Sequence, residues 1–305
     1  MDRLDKVCGV LVAYNPDENI LGTIINACFS LNSTIVVDNS TDPFLYNDLK
    51  IKLEAIQLSY PSKKIIIIKN ETNLGLPISY NKAVSLASDL GFDSVLLLDQ
   101  DSLISKDSLI TLLNDRSKLI KLGIRVGAMG MYHLQNFHTP IDFLFNGKFR
   151  WRDMYYEDCI QERRTLINSG ILISILNYQY VKGYNKDFFL DNSDLEFSLR
   201  LRKKGLKLFE SMNSKMLHNF GESHSKKFVY TVPYRDPKRE YYTRDLVRCL
   251  KLAHSISRID YSIFLILIIS KLIGTLLFKT NRKERFHYIL SGLKDGLKYD
   301  SVHKM

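Results

Sequence analysis

The sequence predicts an α/β protein, a mainly parallel sheet flanked by helices and followed by a helical C-terminal extension. Three observations carry this. Four apolar runs, residues 7–14, 34–40, 64–70 and 95–99, alternate with segments of helical period, the rhythm of β-α-β units. The runs are continuously apolar rather than alternating, as in strands covered on both faces. The second and fourth runs contain or end in carboxylates, Asp38 and Asp99, and open parallel sheets collect ligands at the carboxyl ends of their strands.

In chain order, the first run ends at Asn15-Pro16, a turn signal. A helix over 17–31 follows, with Ile20, Leu21, Ile24, Ile25, Ala27, Cys28 and Leu31 on one side. The second strand, 34–40, leads to a helix over 48–60. The third strand, 64–70, leads to a helix over 77–90 whose proline lies near the start, where a missing N–H costs little. The fourth strand precedes a helix over 106–121 and a strand over 126–132. Periodicity fails between His133 and Arg164, a stretch rich in aromatics that includes Trp151 and Tyr155. Strands are expected again at 168–173 and 207–209, with a helix from about Asp194 to Lys204 between them and Gly205 just past its end.

The 305 residues are 45% hydrophobic and 25% charged, ordinary for a globular chain. The cysteines, Cys8, Cys28, Cys159 and Cys249, form no C-x-x-C pair; reduced thiols in a cytoplasm are expected. The apolar run 7–13 is too short for a signal peptide. The net charge is +10, with +13 in residues 201–305 and −3 before them. Such a basic final third points to an anionic partner, nucleic acid or membrane. No nucleic-acid motif is present, so no nucleic-acid partner is expected.

The chemistry gathers in two stretches. The first is Val95-Leu96-Leu97-Leu98-Asp99-Gln100-Asp101-Ser102. Its two carboxylates follow a buried strand and offer only oxygen donors, which suits Mg²⁺ or Mn²⁺. The sequence has no G-x-G-x-x-G after its first strand and no P-loop, so a phosphate would be held through such a metal. The second stretch is Asp191-Asn192-Ser193-Asp194-Leu195-Glu196. Ser193-x-x-Glu196 fits a capping box. Asp194 in a first helical turn would be kept ionised by the dipole, and could take a proton from a hydroxyl. Asp191 is its rival. His218, after a short strand, could meet a metal or a phosphate.

The ordered set of Val12-Ala13-Tyr14-Asn15, Val36-Val37-Asp38-Asn39-Ser40, Asn73-Leu74-Gly75 with Asn81, Asp99-Gln100-Asp101, Asn168-Ser169-Gly170, Asp194-Leu195-Glu196 through Arg200, and His218 resembles the inverting glycosyltransferases of family 2. Their fold is GT-A, a Rossmann-like α/β architecture. Asp99-Gln100-Asp101-Ser102, Arg239-Glu240-Tyr241-Tyr242-Thr243-Arg244 and Leu290 to Leu297 look like the rhamnosyltransferase branch. Two positions depart from that branch: Asp245 stands where Asn is usual, and Ser193 where an acid often precedes the base.

The resemblance implies a GT-A domain over 1–235, with a nucleotide-binding part (1–130) and an acceptor-binding part (131–235), then the extension 236–305. It implies a metal-dependent hexosyltransferase acting in bacterial surface-polysaccharide synthesis. The donor would be dTDP-rhamnose or a UDP-sugar and the acceptor a saccharide, lipid-linked. Asp38 would bond the nucleobase, with Ala13, Tyr14, Asn15, Asn73, Gly75, Asn81 and Asp99 around the nucleoside. Asp101, Asp99 and His218 would hold Mg²⁺ or Mn²⁺. Asp194 would be the base, with Glu196 orienting base or acceptor. Trp151, Tyr155, Asn168, Ser169 and Gly170 would meet the acceptor. The alternatives are a sugar-phosphate nucleotidyltransferase, which releases pyrophosphate, and a non-enzymatic nucleic-acid or membrane-binding protein.

Residues 261–278 are apolar apart from Lys271, and Lys279, Arg282, Lys283 and Arg285 follow. An apolar helix beside a basic cluster reads as lying on an anionic membrane, placing the protein on the inner face of the cell membrane. A buried core or homodimer helix is the second reading. A span is the third, disfavoured by a central lysine.

Overall fold

The computed structural model describes residues 4–134, 159–218, 224–226, 229–231 and 237–299. Trp151 and Tyr155 lie outside these. Among the described residues the order is β1 (Val7–Ala13), α1 (Glu18–Ser30), β2 (Ser33–Asp38), α2 (Pro43–Ser59), β3 (Lys64–Lys69), α3 (Gly75–Asp89), β4 (Ser94–Asp99), β5 (Ser102–Leu103), α4 (Lys106–Lys121) and β6 (Val126–His133). Then come β7 (Ile160–Arg163), β8 (Ile171–Ser174), α5 (Ile175–Tyr180), α6 (Ser193–Lys203), β9 (Lys207–His218), β10 (His224–Lys226) and β11 (Val229–Thr231). A 3₁₀ turn (Pro237–Tyr242) leads into α7 (Thr243–His254), α8 (Arg258–Phe278) and α9 (Arg282–Lys298).

The main sheet runs β3-β2-β1-β4-β8-β6-β9-β5, with β7 also on β9. The first four strands are parallel. β8 is inserted antiparallel between β4 and β6, and β6 and β9 are parallel. Side chains alternate across the sheet. Val7, Leu11 and Ala13 of β1 enter one apolar cluster with α1, α2 and α4, while Cys8, Val10 and Val12 enter another with α3 and α5. Both faces are therefore covered, which is why the strand sequences do not alternate.

Boundaries differ from expectation where polar side chains act. α2 begins five residues early because the Asp42 carboxylate accepts from the Phe44 N–H and Pro43 fits the first turn. Asn168 to Gly170 precede β8 rather than belonging to it. The expected short strand at 207 continues to His218. Its register slips against β6 between Ser211 and Lys215; there Ser211 bonds Asp115 and Ser214 bonds the Ser108 carbonyl.

The helical extension shares a core with the α/β layer. Phe188 and Leu199 are buried among Leu246, Val247, Cys249 and Leu252 of α7 and Phe264 and Leu267 of α8.

Candidate active site

Three strand ends lie level. Register sets Ala13 beside Asp38, and Val12 beside both Val37 and Asp99. The turn after β1 is tied down on both sides. The Tyr14 N–H donates to the Gln100 side chain (2.7 Å), and the Asn15 N–H donates to Ser40 Oγ (2.9 Å). Asn15 sits at φ +43°, a conformation asparagine tolerates better than most residues.

Asp38 is fully buried. Its carboxylate accepts from Ser40 Oγ (2.5 Å) and Lys69 Nζ (2.6 Å). It therefore clamps β2 to β3, and presents no exposed edge to a nucleobase in this conformation. Nothing in the sequence marks Lys69, although its register opposite Asp38 follows once β2 and β3 are paired. Asn73 accepts from the Gly75 N–H at the start of α3 (3.0 Å). Gly75 has φ +75°, and a Cβ there would lie 2.3 Å from the Phe189 carbonyl, which also accepts from the Leu76 N–H. So Gly75 lets α3 approach the loop before α6. Asn81 does not reach the strand ends: it donates to the Tyr184 carbonyl and accepts from the Tyr178 hydroxyl and Tyr184 N–H. Its expected place beside a nucleoside is corrected to a tether of that loop.

Asp99 accepts from the Tyr80 hydroxyl (3.1 Å). Asp101 is half-buried in the turn before β5. Ser102 pairs with His218, so register brings the end of β9 beside Asp101. Only the backbone position of His218 is described. Among the described residues no three His, Cys, Asp or Glu side chains form a ready-made metal cage. Two carboxylates fit an ion completed by phosphate oxygens and water, the usual arrangement for Mg²⁺.

A buried polar chain joins this edge to α6. The Asp99 N–H donates to Ser169 Oγ (3.4 Å), and Ser169 Oγ bonds Ser102 Oγ. Asn168 donates to Ser193 Oγ (3.4 Å) and accepts from the Tyr184 hydroxyl (2.6 Å). Gly170, at φ +81°, packs where a Cβ would lie 2.5 Å from Met216 Sδ. Asn168 and Ser169 are 5% and 1% exposed, so these residues brace the wall of the site instead of meeting an acceptor. Tyr80 and Tyr184 were also missed. Their buried hydroxyls are pushed well up by desolvation and by nearby charge, and stay protonated donors.

α6 starts without the expected capping box. Asn192 occupies the cap at φ +65° with no side-chain bond to the helix; its amide donates to the Tyr242 carbonyl instead (3.5 Å). Ser193 Oγ donates to the Leu190 carbonyl (3.0 Å). Asp194 accepts from the Leu195 N–H (2.8 Å). Burial pushes its carboxyl up to about 6, and the charges of Asp99 and Asp191 add to this against the N–H bonds. The helix dipole does not prevail, contrary to the sequence expectation. Glu196 is corrected as well. Two residues along a helix turn it by about 200°, and it forms a bidentate pair with Arg200 (2.7 and 2.8 Å). With Arg200 and Arg248 it lines a separate cavity of about 580 Å³.

No protein-family model matches the chain. It is 23% identical over 291 residues to "dTDP-rhamnosyl transferase RfbF" of Shigella flexneri, covering 93% of this chain and 92% of that one. Among solved structures it superposes on GalNAc-T7 with UDP, GalNAc and Mn²⁺ (TM-score 0.58, 12% identity), covering 95% of this chain and 56% of that chain. It also superposes on the mannosyltransferase PcManGT of Pyrobaculum calidifontis with GDP-Man and Mn²⁺ (TM-score 0.57, 13% identity), covering 96% of this chain and 87% of that chain. The chain therefore has the GT-A glycosyltransferase fold and, over nearly its whole length, a sequence likeness to a rhamnosyltransferase.

Proposed function

We propose that this protein is an inverting glycosyltransferase. It moves a sugar, L-rhamnose first among candidates, from a dTDP or UDP donor to a hydroxyl of a lipid-linked saccharide in bacterial surface-polysaccharide synthesis. The observation that carries the proposal is the convergence of Asp99, beside Asp101, with the start of α6: the Asp99 N–H bonds Ser169, and the neighbouring Asn168 bonds Ser193, next to Asp194. The near full-length likeness to a dTDP-rhamnosyl transferase favours rhamnose. The nucleotide- and Mn²⁺-bound neighbours favour a metal.

Ala13, Tyr14 and Asn15 form the turn against which the nucleoside rests, and Gly75 admits it beside the loop before α6. Asp101 and Asp99 would hold Mg²⁺ or Mn²⁺, with His218 from the adjoining strand end. That ion would supply charge neutralisation on the departing diphosphate. Asp194 takes the proton of the acceptor hydroxyl as its oxygen bonds to the anomeric carbon. The bond to the diphosphate breaks on the opposite face, inverting the configuration. A carboxyl titrating near neutrality is matched to that work, because it is ionised at working pH yet basic enough to accept a proton.

The test is to incubate the protein with dTDP-rhamnose or UDP-sugars and a lipid-linked saccharide, with NMR of the product. Release of nucleoside diphosphate with inverted anomeric configuration supports the proposal. Release of pyrophosphate from a nucleoside triphosphate and a sugar phosphate would replace it by the nucleotidyltransferase alternative.

A further inference from the structure

The extension has a face that the proposed chemistry does not use. One side of α8 is core: Ile263, Phe264, Leu267 and Ile268 are at most 7% exposed and pack with α7. The other side is a stripe of Ile259, Ile266, Ile269, Ile273 and Leu276, 46–58% exposed. Soluble monomers rarely show an exposed, largely aliphatic face of this kind without a partner. Lys271, which interrupts the apolar sequence, does not interrupt the stripe. It turns inward to Glu240 (3.3 Å), which also holds Lys279 (2.5 Å) and Arg285 (3.2 Å). Exposed cations flank the stripe, Arg258 at one end and Arg282 and Lys283 at the other, where they outnumber the exposed Glu284.

We infer that α8 lies flat on an anionic lipid surface, its stripe among the acyl chains and the flanking cations at the headgroups. An in-plane amphipathic helix with basic residues around an apolar face binds such surfaces. Packing and charge argue against the other two occupants considered. A span would carry the α7 contacts and the Glu240 carboxylate into hydrocarbon, where unshielded polar groups are costly. A second copy docked antiparallel along the stripe would set Arg258 of one chain against Arg282 and Lys283 of the other, a like-charge contact that disfavours association. Anionic headgroups complement both ends at once.

The experiment is flotation of the full chain with vesicles of phosphatidylglycerol and phosphatidylcholine, against phosphatidylcholine alone, with light scattering for oligomeric state. The protein floats with the anionic vesicles, and added salt releases it. Ile269→Glu with Ile273→Glu abolishes flotation and leaves the thermal midpoint unchanged, because both side chains are already half exposed. Arg282→Gln with Lys283→Gln leaves the stripe intact and lowers partitioning about 30-fold, at roughly 1 kcal/mol per basic residue. The inference is overturned if the wild type stays at the bottom of the gradient, or if the glutamate variant still floats. It is equally overturned by a dimer that the glutamate variant splits in the absence of vesicles. Donor binding reads the proposed chemistry separately, so loss of one does not entail loss of the other.

Discussion

The Asp99 charge helps raise the Asp194 carboxyl to about 6, although the two residues stand 95 positions apart on a strand end and a helix start. Burial is the larger cause, and the backbone N–H bonds oppose both. Asp194→Asn therefore removes the group best placed to take a proton. Turnover should fall by about 10²–10⁴-fold while calorimetric donor affinity stays near that of the wild type. Asp191→Asn is the control. If it instead carries the loss, the base is Asp191.

The same carboxyl sets a pH signature. Turnover should fall below about pH 6 with a slope of one proton, since a protonated Asp194 cannot act as base. Stability carries the opposite sign. A folded-state value raised from 3.8 to about 6 means the fold favours the protonated acid. That contribution is whole below 3.8, declines as pH rises to 6, and is gone above it. Asp194→Asn should therefore melt higher than wild type at pH 8, by up to roughly 3 kcal/mol of stability, with the gap closing toward pH 4. A variant that loses activity and stability together at pH 8 would contradict the buried charge.

Asp101 is testable through its partner. Asp101→Asn and EDTA treatment should weaken nucleoside-diphosphate binding to a similar degree, at least tenfold if a carboxylate-bound cation bridges to the phosphates. They should also not add when combined. Binding that ignores EDTA would free Asp101 from metal duty.

Gly75 tests the approach of α3 to the loop before α6. Any side chain there must adopt φ +75° and displace the Phe189 carbonyl. Gly75→Ala should cost about 1–3 kcal/mol by thermal melt and weaken donor binding, because the Leu76–Phe189 bond must open. Unchanged binding would take the donor away from this loop.

Much of the architecture was readable because strand-helix alternation and unbroken apolar runs both report a sheet covered on two faces. The antiparallel insertion of β8 was not, since a four-residue strand carries no mark of direction. At the site, Asp99 and Asp194 stood out as acids next to predicted element ends. Lys69, Tyr80 and Tyr184 did not: their roles arise from register and from packing of distant segments. Asn81 and Glu196 misled for the converse reason. Each lies at a suggestive spacing, but a helical turn points its side chain to a different partner. Lys271 is the same lesson in the extension, an interruption in sequence that folding turns inward.

Glu240 explains that inversion and is itself testable. It is 4% exposed and meets three cations, Lys271, Lys279 and Arg285. Burial alone would raise its carboxyl, but Lys279 and Lys271 outweigh it and hold it below its ordinary value. Breaking a buried pair costs about 3–5 kcal/mol. Lys279 is 42% exposed, so solvent screens part of this, and about 2–3 kcal/mol is expected. For a chain of this size Glu240→Gln should lower the melting temperature by about 5 °C at neutral pH. The depressed carboxyl contributes stability that is present above the unfolded value and lost as pH falls through the folded one. The gap between wild type and variant should therefore narrow in acid. Adding Lys271→Met should recover part of the loss, because the lysine left without its carboxylate is 25% exposed and otherwise packed. If the double variant melts lower than Glu240→Gln alone, Lys271 is held by something other than this carboxylate.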